Sequence, residues 1–124
     1  MKPSYNILVS LLFVLPFMAF GQNAAIDAAI NKGNGADLSA YLADKVDVSI
    51  LDQDASLSAA ETVKSLSSFF SQNTVKSYKR AHLTPATNGR ASYSLGDLST
   101  STGMYRVYLY YDAKQKISEI RVEK

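Results

Sequence analysis

Apolar positions recur with a helical spacing at the start of the region after residue 22. Ile26 and Ile30 lie four residues apart in a segment rich in good helix formers. The Gly-Asn-Gly run at 33–35 is typical of a helix end, because glycine and asparagine tolerate the left-handed closing conformation. The sequence therefore predicts a helix over 24–31.

Two more helices are predicted further along the chain. The first covers 37–43, with Asp37 as its N-cap. Its inner face consists of Leu38, Tyr41 and Leu42. The next begins after Ser58, which forms a capping-box pattern with Glu61, and ends at 72–74. Its core-facing stripe consists of Ala59, Val63, Leu66 and Phe70, with Phe69 beside them.

The period changes to two wherever strands are predicted. Residues 46–50 alternate between valine or isoleucine and polar residues, and after a turn at 52–54 a very short strand over 55–57 pairs back. Four further strands follow, over 75–83, 90–98, 104–111 and 117–122. In the second of these, Ala91, Tyr93 and Leu95 form the apolar row, and an Asn88-Gly89 hairpin signal precedes it.

This order of elements predicts an α+β domain in which three helices of the N-terminal half pack on one face of a curved antiparallel sheet. Curvature around the third helix would bury Phe69 and Phe70 and leave a pocket at the open end. Candidate pocket residues are Tyr41, Phe69, Phe70, Tyr93 and Tyr105.

The strand over 104–111 carries large side chains on both faces. The row Tyr105, Val107, Leu109 and Tyr111 is more apolar and is assigned to the helices. The opposite row contains Arg106, Tyr108 and Tyr110, residue types that are enriched where proteins meet. We predict a partner-binding surface there, used for a homodimer or for another protein.

The first 21 residues have the pattern of a signal peptide. Lys2 precedes a 14-residue, mainly apolar run that ends at Phe20, shorter than the ~20 residues needed to span a membrane as a helix. Cleavage after Gly21 leaves residues 22–124 as one domain, exported to the periplasm or the medium without a stable membrane anchor.

Composition narrows the function classes. With 47% hydrophobic and 19% charged residues the chain is not a disordered tail, and the absence of cysteine excludes disulfides and thiol catalysis. A net charge of +2 does not suggest a nucleic-acid partner. The pair Asp52 and Asp54 resembles the start of a calcium loop, but Leu57 and Val63 replace its essential glycine and glutamate. We expect no metal and no cofactor.

Two residues are candidates for proton transfer. His82 is the only histidine, and simple alternation places it on one strand face with Tyr78 and Arg80. Asp97 is in phase with Tyr93 and Leu95. The alternative for His82 is a histidine at a sheet edge or in a satisfied hydrogen bond. The alternative for Asp97 is a solvated carboxylate at the end of a strand, because burial of an unpaired carboxylate is costly.

Several segments resemble a known family. They are the runs INKGN at 30–34, VSILD at 48–52, SFF at 68–70, TGMYRVY at 102–108 and IRVE at 120–123. They are similar to a family of small secreted bacterial proteins, described only as a domain of unknown function, in the nuclear transport factor 2-like (SnoaL/ketosteroid isomerase-like, cystatin-like) superfamily. The resemblance implies a cone-shaped fold. Superfamily members include enzymes and binding domains, and no catalytic motif is carried over.

Three functions remain open at this point. The leading one is a non-catalytic binding module for a protein partner or a small apolar ligand. The second is a proton-transfer enzyme of the isomerase or dehydratase kind that uses His82 or Asp97, and the third is a structural subunit of an envelope assembly. Convergence of His82 and Asp97 in a closed apolar cavity would favour the enzyme.

Overall fold

A computed structural model describes residues 22–85 and 92–124. The predicted leader (1–21) and the predicted Asn88-Gly89 hairpin lie outside these residues. The elements are α1 (residues 22–31), a 3₁₀ helix (Ala36–Tyr41), β1 (Leu42–Ile50), β2 (Gln53–Ser58), α2 (Ala59–Gln72), β3 (Val75–Thr84), β4 (Tyr93–Thr100), β5 (Gly103–Tyr111) and β6 (Ile117–Glu123).

The six strands form one curved sheet in the order β2-β1-β6-β5-β4-β3. All neighbours are antiparallel except β1 and β6, which run parallel. The α+β class and a mostly antiparallel sheet are thus as predicted. The parallel pair places β1, the first strand of the sequence, beside β6, the last. The β1–β2 hairpin therefore extends the sheet that the meander of β3 to β6 forms.

The core lies between the helices and one face of the sheet, which we call the inner face. Helix α1 contributes Ile26, Ala29 and Ile30, and α2 contributes Leu66, Phe69 and Phe70, all buried. The sheet contributes the whole predicted row of β5: Tyr105, Val107, Leu109 and Tyr111. The opposite face of the sheet is the outer face, where Met104 is 57% exposed.

The second helix differs from the prediction. It is a single 3₁₀ segment that ends at Tyr41, and Leu42 already pairs with Ile117 in the sheet. The N-cap is Gly35 and not Asp37, whose backbone N–H donates to the side-chain oxygen of Asn34 (3.2 Å). A helix this short gains little from its own hydrogen bonds, so strand pairing determines where it ends.

Helix α2 begins as predicted with a capping box between Ser58 and Glu61. The Ser58 hydroxyl accepts from the Glu61 N–H at 3.1 Å, and the Glu61 carboxylate accepts from the Ser58 N–H at 3.0 Å. The most deeply buried residue of the helix is one that the apolar spacing missed. Thr62 is buried because its hydroxyl donates to the Ser58 carbonyl (2.8 Å), which leaves its methyl group to pack.

Strand β4 faces the core with the opposite row from the one predicted. Ser94, Gly96, Leu98 and Thr100 are the inner, buried residues. Tyr93 and Leu95 are only half-buried and lie on the outer face. The small inner residues leave room for the large rings of Tyr78 and Tyr111, so volume rather than apolar character decides the phase of this strand.

No helix within residues 22–85 and 92–124 is long and apolar enough to cross a membrane.

Candidate functional site

Half-exposed tyrosines form a continuous group on the outer face. Tyr93 of β4 and Tyr110 of β5 are directly opposite each other in the sheet register, and their rings stack with centroids 5.5 Å apart. Leu95 and Tyr108 form the next cross-strand pair on the same face. We call these four side chains the tyrosine surface. They are partly exposed apolar groups on a face that solvent-exposed strands usually fill with charged residues.

His82 lies at the margin of the tyrosine surface rather than on the inner face. The register of β3 against β4 shifts between Arg80, which pairs with Gly96, and His82, which pairs with Leu95. Ala81 is therefore an extra residue, and this bulge turns His82 outward. The predicted shared face with Tyr78 and Arg80 is wrong. The His82 ring is 6.1 Å from that of Tyr93.

Asp97 and Arg106 are also on the outer face. They are a cross-strand pair of β4 and β5, and Asp97 faces Lys79 on its other side. Asp97 is exposed, whereas Tyr105 is a buried residue of the inner face. The two therefore lie on opposite faces of the sheet and do not meet. His82 and Asp97 do not converge in an enclosed cavity.

Aromatic side chains fill the place where a pocket was predicted. Phe69 contacts Phe70 and Tyr105 edge to face, with centroids 5.9 and 5.3 Å apart. The space beside Phe70 that Leu66 and Leu98 also line measures only about 10 Å³, enough for one water molecule. Of the other pocket candidates, Tyr41 is half-buried beside the core and Tyr93 is on the outer face, so the five do not form one site.

A group of buried hydroxyls, which the sequence pattern did not bring together, lies on the inner face. The Tyr111 hydroxyl is 3.2 Å from that of Ser94, and no residue in the described ranges bonds the Tyr78 hydroxyl. Burial raises the pKa of both tyrosines. Asp27 of α1 forms an ion pair with Arg80 (3.0 Å) nearby, and burial raises the pKa of Asp27 against the opposing effect of Arg80. The sequence signal was the small Ser94 and Gly96 on the strand beside Tyr78.

Two open depressions flank β2. One, of about 1080 Å³, separates the inner side of the β1–β2 hairpin from the C-terminal half of α2. The other, of about 470 Å³, lies on the outer side of β2, β1 and β6. Among the described residues no group of three or more acidic or histidine side chains could hold a metal ion.

The comparisons with known proteins agree on the fold. The family model described as a domain of unknown function (DUF4783) matches residues 23–123. A DUF4783 family protein from Bacteroides fragilis is similar, with a TM-score of 0.72, 29% identity, and coverage of 81% of this chain and 95% of that one. No curated protein matches the chain.

Two more distant structures are informative about the fold alone. An uncharacterised protein with a cystatin-like fold from Silicibacter pomeroyi has a TM-score of 0.59 at 10% identity, covering 81% of this chain and 70% of that one. An NTF2-like protein of unknown function from Exiguobacterium has a TM-score of 0.51 at 14% identity, covering 71% of this chain and 80% of that one.

Proposed function

The chain belongs to the DUF4783 family, a domain of unknown function, and we propose that it is a non-catalytic binding module that recognises protein through the tyrosine surface. The observation that carries this proposal is the stacked, half-exposed pair Tyr93 and Tyr110 on a sheet face that no helix of the described residues covers. Tyrosine and arginine are enriched at the energetic centres of interfaces, and Arg106 borders this surface.

The interior supports a binding role over a catalytic one. A closed apolar cavity with convergent polar groups would favour proton transfer, but the enclosed space beside Phe70 is only about 10 Å³. The depression of about 1080 Å³ beside α2 is open, and its lining includes neither His82 nor Asp97. The small enclosed space also argues against an apolar ligand buried beside Phe70. His82 and Asp97 face solvent, where neither is surrounded by the apolar environment that tunes a catalytic acid or base.

The partner that we propose first is a second copy of this chain. A two-fold axis through the tyrosine surface would stack Tyr93, Tyr108 and Tyr110 of one copy on those of the other, an isologous arrangement. Stable interfaces bury about 800 Å² per partner, so the whole outer face of β5, β4 and β3 would have to take part. Arg106 and Asp97 at its margin would set the register of the two copies.

Sedimentation equilibrium at micromolar concentrations tests this proposal. We expect the natural chain to dimerise and Tyr108→Ser/Tyr110→Ser to be monomeric while keeping its circular dichroism spectrum. The matched control is Lys64→Ser, an exposed position on α2 remote from the outer face. A natural chain that is monomeric at every concentration, and that behaves like the double variant, would contradict self-association.

We also propose that the domain acts outside the cytoplasm, because the apolar run before Gly21 is typical of a cleaved leader. Intact mass spectrometry of protein produced with its own leader should give a chain that begins at Gln22. A mass that includes Met1 would contradict export by cleavage.

A further inference from the structure

Strand β2 is an edge of the sheet. In the strand order β2-β1-β6-β5-β4-β3, β2 pairs only with β1, and within the described ranges no strand occupies its other side. An open edge presents unpaired backbone N–H and C=O groups, which are a template for pairing with another extended chain. Pairing with another chain requires that this edge is not protected.

The register identifies the backbone groups that point outward from β2. A two-residue turn, Leu51 and Asp52, joins β1 to β2, so Ile50 and Gln53 close the hairpin as a hydrogen-bonded pair. Alternation then directs the N–H and C=O of Asp54 and Ser56 away from β1. Each of these residues offers one donor and one acceptor to a further strand.

Ser58 supports this assignment. It is next in the same outward series, and both of its backbone groups bond away from β1. Its N–H donates to the Glu61 carboxylate (3.0 Å), and its C=O accepts from the Thr62 hydroxyl (2.8 Å). The capping box of α2 therefore ends the available edge at Ser58 and leaves Asp54 and Ser56 open.

The inner side of this edge opens onto a cleft that both apolar and polar side chains line. The cleft of about 1080 Å³ has Leu57 and Ile50 on its sheet wall and Phe69 on its helix wall. Its polar lining consists of Asp52, Gln53 and Asp54 around the start of β2 and of Ser65, Ser68, Gln72 and Asn73 on α2 and at its C-cap. A strand added beside β2 would direct every second side chain into this cleft, because successive side chains alternate between the faces of a sheet.

The outer side of the edge is acidic. Asp47, Asp54 and Glu119 line the depression of about 470 Å³ on this side. The one basic residue in its lining, Arg121, is already paired with Glu123 (3.3 Å). The remaining side chains of an added strand would lie over this depression, and basic residues would complement its charge.

The opposite edge of the sheet is different. Strand β3 carries Lys76, Lys79 and Arg80, has a bulge at Ala81, and uses its Tyr78 N–H to bond the Asn31 side chain of α1 (2.9 Å). Lysines, bulges and covering helices are the devices that protect natural edges from pairing. The six residues of β2 contain neither lysine nor arginine.

We propose that the free edge of β2 binds an extended peptide segment of a partner protein by strand addition. The segment alternates apolar residues, which enter the cleft beside Leu57 and Phe69, with lysine or arginine, which face Asp47 and Asp54. Backbone hydrogen bonds to Asp54 and Ser56 hold it in register. This site shares no residue with the tyrosine surface, although Glu119 and Arg121 of the outer depression pair with Tyr110 and Tyr108, and it does not depend on dimerisation there.

Isothermal titration with a synthetic peptide that alternates valine and lysine tests the proposal. We expect it to bind more tightly than a peptide of the same composition with its valines and lysines in blocks. Ser56→Pro removes an outward N–H and should weaken binding about tenfold, which corresponds to the loss of one backbone hydrogen bond. Proline is tolerated at such a position of an edge strand, and the matched Ser56→Thr keeps the N–H and should bind normally.

Charge is tested separately. Asp54→Asn should weaken binding of the valine–lysine peptide and leave an alternating valine–serine peptide unaffected, whereas Asp44→Asn, an exposed carboxylate outside the depression, should change neither. If Ser56→Pro does not fold, strand addition is tested by these variants and by the changes that the peptide causes in the NMR chemical shifts of the backbone amides of residues 53–58.

Three results would overturn the proposal. The first is equal binding of the alternating and block peptides, and the second is full binding by a folded Ser56→Pro variant. The third is a natural chain that binds no peptide but forms a dimer that Ser56→Pro dissociates, because the edge would then bind a second copy of the chain. Tyr108→Ser/Tyr110→Ser should bind the peptide normally, so failure of the tyrosine surface would leave this test unaffected.

Discussion

The ring of Tyr78 lies against Gly96 of the neighbouring strand, in the space that a Cβ at residue 96 would occupy. Gly96 pairs with Arg80, and Tyr78 pairs with Leu98, so the ring leans diagonally across β4. Glycine is required here by this close approach, not by its backbone conformation. The contact explains how a large buried tyrosine fits between α1 and the sheet.

Gly96→Ala should therefore destabilise the protein by about 1–3 kcal/mol, because the added methyl group forces Tyr78 out of its position. Urea denaturation measures this change. In a Tyr78→Ala background the same substitution should cost much less, since the space is then empty. Equal costs in the two backgrounds would show that the ring is not what excludes alanine.

Phe70 and Tyr41 are buried to different extents, so replacing each with alanine should lower the free energy of unfolding by a different amount. Phe70 is buried against the core, and Phe70→Ala should lower the free energy of unfolding by about 3–5 kcal/mol. Tyr41 is only half-buried beside the core, so Tyr41→Ala should cost less. Chemical denaturation of both variants gives the ranking, and a Phe70→Ala change of under ~0.5 kcal/mol would contradict the packing of α2.

The buried tyrosines predict a loss of stability in alkali. Burial raises the pKa of Tyr78 and Tyr111 above the ordinary 10.0, so the unfolded chain releases their protons at a lower pH than the folded one. Their contribution is complete below pH 10 and is lost as the pH rises beyond it. Denaturation at a series of alkaline pH values, followed by tyrosinate absorbance, measures the effect.

Tyr78→Phe is the informative variant for this pH dependence. No described residue bonds the Tyr78 hydroxyl, so the variant should fold normally at neutral pH and lose less stability in alkali than the natural chain. The matched control is Tyr108→Phe, which removes the hydroxyl of a half-exposed tyrosine on the outer face. Identical profiles for all three proteins would contradict the burial of this hydroxyl.

Local rules predicted the parts of the fold that local physics controls. The capping box at Ser58 and the two faces of β5 follow from a few neighbouring residues, and the structure has both as expected. The parallel pairing of β1 with β6 joins residues about 70 positions apart, and no local pattern encodes it. Its absence from the prediction did not alter the class of the fold.

The candidate site was harder to predict, because strand faces were counted by strict alternation. One unseen bulge at Ala81 inverts every position after it, so His82 lies on the outer face although Tyr78 lies on the inner face. In the hydropathy pattern of β4, Ser94 and Gly96 are polar or neutral positions. They nevertheless face the core, because their small size accommodates the tyrosine rings. Both errors arise because tertiary packing decides which face of a strand is buried, and the sequence of that strand alone does not show this packing.

His82 offers a direct test of this bulge. Its exposed ring contacts Tyr93 and bonds the Thr84 hydroxyl (2.6 Å), so His82→Gln should change the free energy of unfolding by less than about 0.5 kcal/mol.

Deletion of Ala81 should also be tolerated, because it removes only the extra residue and leaves Arg80 opposite Gly96 and His82 opposite Leu95. In a strand without the bulge, the same deletion would exchange the faces of all the residues on one side of it and unfold the sheet edge. Urea denaturation of both variants, with proton NMR of the His82 ring to report its exposure, separates these outcomes, and a deletion that unfolds the protein would contradict the bulge.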